Sequence, residues 1–171
     1  MTEITIAPAE TEADLEAVRR LCWAYRDFLL GNSPVDREIT ETFYPEPKYR
    51  DLMDQLALAH ARPAGIILLA RNAQGLALGC GMFHGLDAET AEIKRLFVTE
   101  KARGLGLART LCRRLIDQAR SDGYARVVLD TSGNLAAAQA LYDSLGFDRR
   151  GPYEPIPEDV LPHLVFFEKR L

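Results

Sequence analysis

The chain of 171 residues is long enough for a substantial hydrophobic core, and its 47% hydrophobic and 27% charged residues are typical of one globular domain, which we expect over 1–171. The net charge of −4 argues against general nucleic-acid binding, which needs a basic surface. Cys22, Cys80 and Cys112 lie far apart in apolar segments, which predicts buried free thiols rather than a disulfide or a zinc site. The sequence shows no signal peptide and no membrane-spanning apolar run, so we expect a cytoplasmic protein without a membrane partner.

Hydrophobic periodicity and turn residues predict an alternation of strands and helices along the chain. In the first half, the predicted segments are a strand over 3–7, helices over 11–30 and about 48–61, a loop over 33–47, and a hairpin of strands 65–71 and 76–84. In the second half, they are a strand over 92–98, a helix from about 107 to Gly123, a strand over 125–131, a helix over 135–145, a Pro-rich loop over 152–162 and a last strand over 164–169. This order predicts an α/β fold with a central mixed sheet flanked by about four helices.

The most informative segment is the glycine turn Arg103-Gly104-Leu105-Gly106, which joins the strand over 92–98 to the helix after it. A helix N-terminus leaves about four N–H groups unpaired, and Ser, Thr, Asp or Asn usually caps them. None of these residues stands at 102–106, and Lys101, Arg103 and Arg109 add positive charge. Such a helix start is typical of an anion site, although a tight connection with solvated basic residues is the alternative.

Two well-known phosphate-binding loops do not fit this turn. A nucleotide P-loop ends in Gly-Lys-Ser/Thr, whereas this chain has Gly106-Leu107-Ala108. A dinucleotide-binding loop needs a third glycine where this chain has Arg109. The segment 103–108 instead matches the Arg/Gln-x-x-Gly-x-Gly/Ala signature, and in this it resembles the GCN5-related N-acetyltransferases, the GNAT superfamily.

The resemblance extends well beyond the turn. Upstream it includes Glu92–Val98, and downstream a second block is similar to the family's Ala-x-x-Leu-Tyr-x-x-x-Gly-Phe, with Ala138, Leu141-Tyr142 and Gly146-Phe147. The order of the predicted elements also matches the family's fold. The resemblance implies transfer of an acetyl group from acetyl-coenzyme A (acetyl-CoA) to a primary amine by direct attack on the thioester, without a metal.

The resemblance also implies a set of acetyl-CoA contacts. Backbone N–H groups of the turn would bind the pyrophosphate, and the backbone of the preceding strand would bind the pantetheine arm. The family's Asn position is occupied by Leu135, so that Asn134 stands one place early; a helix cap is its alternative role. The implied contact residues are Leu96, Phe97, Val98, Arg103, Gly104, Leu105, Gly106, Leu107, Ala108, Arg109, Asn134 and Tyr142.

Two groups are implied to act on the thioester itself. Tyr142 matches the family tyrosine that donates a proton to the leaving sulfur, with simple core packing as the alternative. The backbone N–H of Val98 would face the thioester oxygen.

Glu92 is implied to be the general base, because many family members use a Glu on this strand, often through water. Strict alternation would place it on one face with Lys94, Leu96 and Val98, and an ion pair with Lys94 is the alternative role. His84, at the end of the preceding strand, is a second candidate base.

The acceptor is not determined by the sequence, and a small-molecule amine, a peptide N-terminus and a protein lysine all fit. The acceptor groove would be lined by acids that suit a cationic amine and by aromatic residues, although these could also be solvated loop residues: Tyr25, Asp36, Glu38, Glu41, Phe43, Tyr44, Tyr153, Glu154, Glu158 and Asp159. A non-catalytic acyl-CoA-binding sensor or scaffold is the alternative function. The resemblance is also compatible with a homodimer.

Overall fold

The computed structural model describes residues 3–171, and within them seven strands form one mixed sheet. The strands are β1 (Ile4–Pro8), β2 (Ile66–Asn72), β3 (Ala77–Gly85), β4 (Thr90–Val98), β5 (Arg126–Ser132), β6 (Asp148–Arg150) and β7 (Leu164–Arg170). Their spatial order is β1-β2-β3-β4-β5-β7-β6. The β4–β5 pair is parallel and the other pairs are antiparallel, which confirms the predicted mixed sheet and its β2–β3 hairpin.

Helices cover the two faces of this sheet. They are α1 (Glu12–Asn32), α2 (Pro34–Phe43), α3 (Glu46–Asp54), α4 (Leu56–Ala59), α5 (Leu107–Ser121) and α6 (Ala136–Ser144). One apolar layer lies between the sheet and α5 and α6, and a second lies between the sheet and α1 and α3. All three cysteines are buried free thiols, as predicted. Within residues 3–171, no helix combines the length and the apolar composition that a membrane crossing requires.

The predicted loop over 33–47 is wrong, because this segment forms α2 and the start of α3. The Ser33 hydroxyl accepts a hydrogen bond from the Asp36 N–H at 3.0 Å, and Pro34 occupies the first helical position. Pro45 occupies the N-cap position of α3, and Pro47 lies in its first turn. A proline needs no N–H partner in the first turn of a helix, so these prolines mark helix starts rather than a loop.

The start of α1 is held by a capping box that also ties the helix to the sheet. Thr11 and Asp14 exchange side-chain hydrogen bonds with each other's backbone, and Arg71 on β2 donates to Asp14 Oδ1 at 2.7 Å. We expect Asp14→Ala to lower the free energy of unfolding by about 1 kcal/mol at neutral pH. The hydrogen bond from Arg71, and then those from backbone N–H groups, lower the pKa of Asp14 from 3.8 to about 2.

The stabilisation by Asp14 is therefore present above its unfolded pKa and is lost as the pH falls toward about 2. Urea denaturation of wild type and variant, repeated at decreasing pH, measures both effects. Asp27→Ala on the exposed face of α1 is the control, and we expect no loss of stability from it. An Asp14→Ala protein as stable as wild type at neutral pH would contradict the role of the box.

Candidate active site

A cleft opens where β4 and β5 separate. The two strands pair only at Thr90–Glu92 with Arg126–Val128, at the beginning of both strands. Beyond these pairs they diverge, and the segments 93–98 and 129–132 line a cleft of about 560 Å³ together with α1, α2 and α6. The strand before the glycine turn therefore splays from its neighbour, as the resemblance implies.

A bulge in β4 changes which side chains share a face. Arg95 has a left-handed backbone with φ of 52°, and the register against β3 shifts next to it. An extra residue resets the alternation of a strand. Leu96 and Val98 therefore pack with the α5 layer, whereas Glu92 and Lys94 lie on the other face. The expectation of one common face for these four residues is wrong.

The N-terminus of α5 is uncapped, as predicted. Gly106 occupies the cap position with φ of 73°, and no side chain caps the helix. Across residues 3–171, the backbone N–H groups from Gly104 to Arg109 donate to no protein acceptor. A Cβ atom built on Gly104 or Gly106 would meet nothing within 4 Å, so the space before these amides is open. Such a set of donors at a helix N-terminus can bind an anion.

This turn lies at one end of the cleft. Arg103 and Ala108 line it, and the Arg103 guanidinium lies 5.1 Å from the centre of the Phe28 ring. Arg109 donates to the Ser144 hydroxyl at 2.6 Å, which links α5 to the end of α6. An anion bound by these backbone N–H groups would therefore lie next to the space between β4 and β5.

Tyr142 lines the middle of the cleft from α6. Its ring packs against Phe147 and Phe167, at 5.6 and 5.4 Å between ring centres, so it also belongs to the core. Its hydroxyl donates to no acceptor in the part of the chain that the structure describes. Burial, and then the nearby Cys112, raise the pKa of Tyr142 well above its usual value. The phenol therefore stays protonated to a higher pH than a free tyrosine does.

Glu92 and His84, the two candidate bases, are in contact. His84 Nε2 lies 2.7 Å from Glu92 Oε1, the Tyr153 hydroxyl donates to Oε2, and Lys94 Nζ is 3.6 Å away. Burial raises the pKa of Glu92, but the hydrogen bond from His84, the charge of Lys94 and the hydrogen bond from Tyr153 outweigh it and leave the pKa below its usual value. Glu92 lies beside the cleft rather than in its lining.

Asp130 is an acid that the sequence analysis missed. It lines the cleft from β5, and its Oδ2 lies 3.2 Å from the Tyr153 hydroxyl. Burial raises its pKa, and the charge of Glu92 adds to this. Carboxylate oxygens of Glu92, Asp130 and Glu154 lie within 4.8 Å of one another. The available signal was an acid directly after the apolar run Val127–Leu129.

Asn134 is not the cap of α6, which corrects one of its two expected roles. The cap residue is Leu135, without a side-chain hydrogen bond. The Asn134 N–H is held by the Ser132 hydroxyl at 3.1 Å, and its side chain lines the cleft. A ligand in the cleft could therefore use the Asn134 amide.

Only part of the expected acceptor groove is found in the cleft lining. Tyr25, Asp36 and Tyr44 belong to the lining. Five acids are exposed and lie outside it, namely Glu38, Glu41, Glu154, Glu158 and Asp159, and Phe43 and Tyr153 lie outside it as well. Arg26 and Arg95 line the cleft and were not expected there. Arg26 could have been found, because it lies four residues after Cys22 on the apolar stripe of α1.

The sequence also resembles known proteins. The profile of the Acetyltransferase (GNAT) family matches residues 33–147. An uncharacterized N-acetyltransferase of Schizosaccharomyces pombe is 36% identical over 75% of this chain and 82% of its own length. An IAA acetyltransferase of Azospirillum brasilense is 36% identical over 80% of this chain and 86% of its own.

Comparison of structures shows the same fold. The structure of yncA from Salmonella typhimurium with its cofactor acetyl-CoA aligns over 98% of this chain and 94% of that one, with a TM-score of 0.67 and 24% identity. The fold, the glycine turn and the family match agree. The chain belongs to the GNAT family of acetyltransferases.

Proposed function

We propose that the protein transfers an acetyl group from acetyl-CoA to a primary amine by direct attack of the amine on the thioester. The observation that carries this proposal is that the backbone N–H groups from Gly104 to Arg109 have no acceptor among the described residues and adjoin the cleft that Tyr142 also lines. The choice of co-substrate is supported by the similar structure of yncA, which was solved with acetyl-CoA, and the choice of reaction is supported by the acetyltransferase relatives.

The residues at the turn fit a coenzyme A pyrophosphate. Consecutive N–H donors and the positive end of the α5 dipole face open space, and Arg103 and Arg109 add charge. We assign the pantetheine arm to the backbone of Leu96, Phe97 and Val98, with Asn134 on the other wall. The Thr99 N–H donates to Leu78 on β3 at 2.9 Å, so strand alternation directs the Val98 N–H toward the cleft.

The co-substrate supplies an acetyl group activated as a thioester, and the protein must move two protons. Tyr142, a phenol that is protonated at neutral pH, holds the proton that the leaving sulfur takes up. Because Glu92 lies behind the cleft lining, the amine proton passes first to Asp130 in the cleft wall and then, through the Tyr153 hydroxyl that contacts both carboxylates, to Glu92. The Val98 N–H is placed to stabilise charge on the thioester oxygen.

Release of the coenzyme A thiol from acetyl-CoA, measured across a broad panel of primary amines, tests this function. We expect acetylation of at least one amine class, with the product identified by mass spectrometry. Binding of acetyl-CoA without turnover across the panel would instead favour the non-catalytic acyl-CoA-binding function. A cytoplasmic location and a homodimer stay predictions from the sequence.

Glu92→Gln is expected to lower kcat by about 100-fold, because the amide cannot accept the amine proton. The affinity for acetyl-CoA, measured by calorimetry, should stay unchanged, since Glu92 lies outside the cleft lining. Glu41→Gln, an exposed substitution on α2, is the matched control and should leave both quantities unaltered. Full turnover in Glu92→Gln would remove Glu92 from the mechanism.

A further inference from the structure

Arg26 is a buried cation without a charged partner. Its side chain projects from α1 into the lining of the cleft, and only 9% of the residue is exposed. Nε donates to the Tyr44 carbonyl at 3.0 Å, but within residues 3–171 the terminal nitrogens have no acceptor, and no carboxylate lies within 4.0 Å. A buried guanidinium is unfavourable unless an anion pairs with it.

Arg95 brings a second guanidinium without an ion pair among the described residues to the ring of Tyr49, which Arg26 also contacts. Its left-handed backbone, with φ of 52°, is uncommon for a residue with a long side chain and is a feature found at functional sites. The Cζ atoms of Arg95 and Arg26 lie 5.8 and 5.9 Å from the centre of one ring, that of Tyr49. Like Arg26, Arg95 lines the cleft and makes no ion pair in the described part of the chain.

Two other charged residues that line the cleft, Lys94 and Asp36, already have partners. Lys94 is paired with Glu92, and the Asp36 carboxylate accepts hydrogen bonds from Asn32, at 2.6 Å, and from Ser132. Besides Arg103 at the glycine turn, the cleft therefore has two guanidiniums without an ion pair in the described chain, on its α1 and β4 walls, and Asp130 on its β5 wall.

We propose that the acceptor is a small molecule that carries both the reacting amine and a carboxylate, as an amino acid does, and that Arg26 and Arg95 bind the carboxylate. This inference rests on the proposed acetyltransferase function and narrows its substrate class. Guanidinium groups bind carboxylates through paired, charge-assisted hydrogen bonds. Asp130 lines the cleft from β5 and would receive the amine, and the rings of Tyr25, Tyr44 and Tyr49 supply apolar lining.

A purely cationic amine does not match this arrangement. It would leave the buried Arg26 and the half-buried Arg95 without an anion, and their charge would repel it. A lysine side chain within a protein has no carboxylate beside its amine. Arg26 and Arg95 thus disfavour a purely cationic amine, which was the acceptor expected from the acidic residues of the predicted groove.

Matched probes test this proposal, namely L-phenylalanine against phenethylamine and L-methionine against 3-(methylthio)propylamine, each with acetyl-CoA. Each pair differs by the carboxylate, and we expect kcat/KM to be at least about tenfold higher for the amino acid, equivalent to about 1.4 kcal/mol. Arg95→Gln should raise KM for the amino acid at least about tenfold without a change in kcat, and should leave KM for the decarboxylated amine unchanged.

Arg50→Gln is the matched control, because Arg50 also lies over an aromatic ring, Trp23 at 5.5 Å, but on the surface and outside the cleft. It should change neither KM. Arg26→Lys, which keeps the buried charge, supplies a second variant and should raise KM for the amino acid alone.

Calorimetry with the amino acids and with acetyl-CoA, each titrated separately, distinguishes the two ways of failing. Two results with a protein that binds acetyl-CoA would overturn the carboxylate site. In the first, the protein acetylates the decarboxylated amines as well as the amino acids. In the second, it neither binds nor acetylates an amino acid. A protein that does not bind acetyl-CoA would overturn the proposed function. Amino-acid binding that Arg95→Gln abolishes would support the carboxylate site in either case.

Discussion

Gly106→Asp is expected to weaken acetyl-CoA binding by about 100-fold or more, which corresponds to a loss of about 2.7 kcal/mol. The substitution places a carboxylate at the N-cap position of α5, in the open space in front of the backbone N–H groups that have no acceptor among the described residues. It would accept hydrogen bonds from those amides and repel the pyrophosphate. Calorimetric titration of acetyl-CoA into wild type and variant measures the effect.

Backbone strain is the other consequence of this substitution and requires its own control. Gly75, in the β2–β3 turn, has φ of 83°, close to the 73° of Gly106, and a Cβ atom there would also meet nothing within 4 Å. Gly75→Asp should lose similar stability and keep full affinity. Gly106→Asn separates charge from shape, and we expect a smaller loss than with Asp. Unchanged affinity in Gly106→Asp would show that the pyrophosphate does not bind at this turn.

Tyr142→Phe is expected to lower kcat by about 100-fold, because the leaving sulfur loses its proton donor. The affinity for acetyl-CoA and the stability should change little, since the hydroxyl has no protein acceptor among the described residues. Because the neutral phenol is the active form and its pKa is raised well above the usual value, ionisation of Tyr142 should not reduce activity at moderately alkaline pH. Steady-state turnover with saturating acetyl-CoA checks both expectations.

Tyr124→Phe should have the opposite effects. The Tyr124 hydroxyl donates to the Ala64 carbonyl at 2.6 Å, outside the cleft, so its loss should cost about 1 kcal/mol of stability without lowering kcat. If Tyr142→Phe retained full turnover, Tyr142 would have a packing role only.

The parts of the fold that depend on local pattern were predictable. The uncapped start of α5 follows from the residues at 102–106, and the β2–β3 hairpin follows from two apolar runs around a short turn. Prolines were ambiguous, because a proline fits both a loop and the first turn of a helix, and α2 was missed for this reason.

Features that depend on contacts between distant segments could not be predicted. The bulge at Arg95 arises in the pairing of β4 with β3, and the residue itself gives no local sign of a left-handed backbone. The contact of Tyr153 with Glu92 joins residues 61 positions apart. The approach of Arg26 and Arg95 to the ring of Tyr49 requires α1 and β4 to be adjacent, and hydrophobic periodicity alone does not show this adjacency.

The central claim is that acetyl-CoA binds with its pyrophosphate at the N-terminus of α5 and its pantetheine arm between β4 and β5. Calorimetric titration of the purified protein with acetyl-CoA, and with NAD as a pyrophosphate that lacks the pantetheine arm, tests it most directly. We predict acetyl-CoA binding in the micromolar range, about −8 kcal/mol, and no binding of NAD. Absence of acetyl-CoA binding, or equal binding of NAD, would contradict the claim.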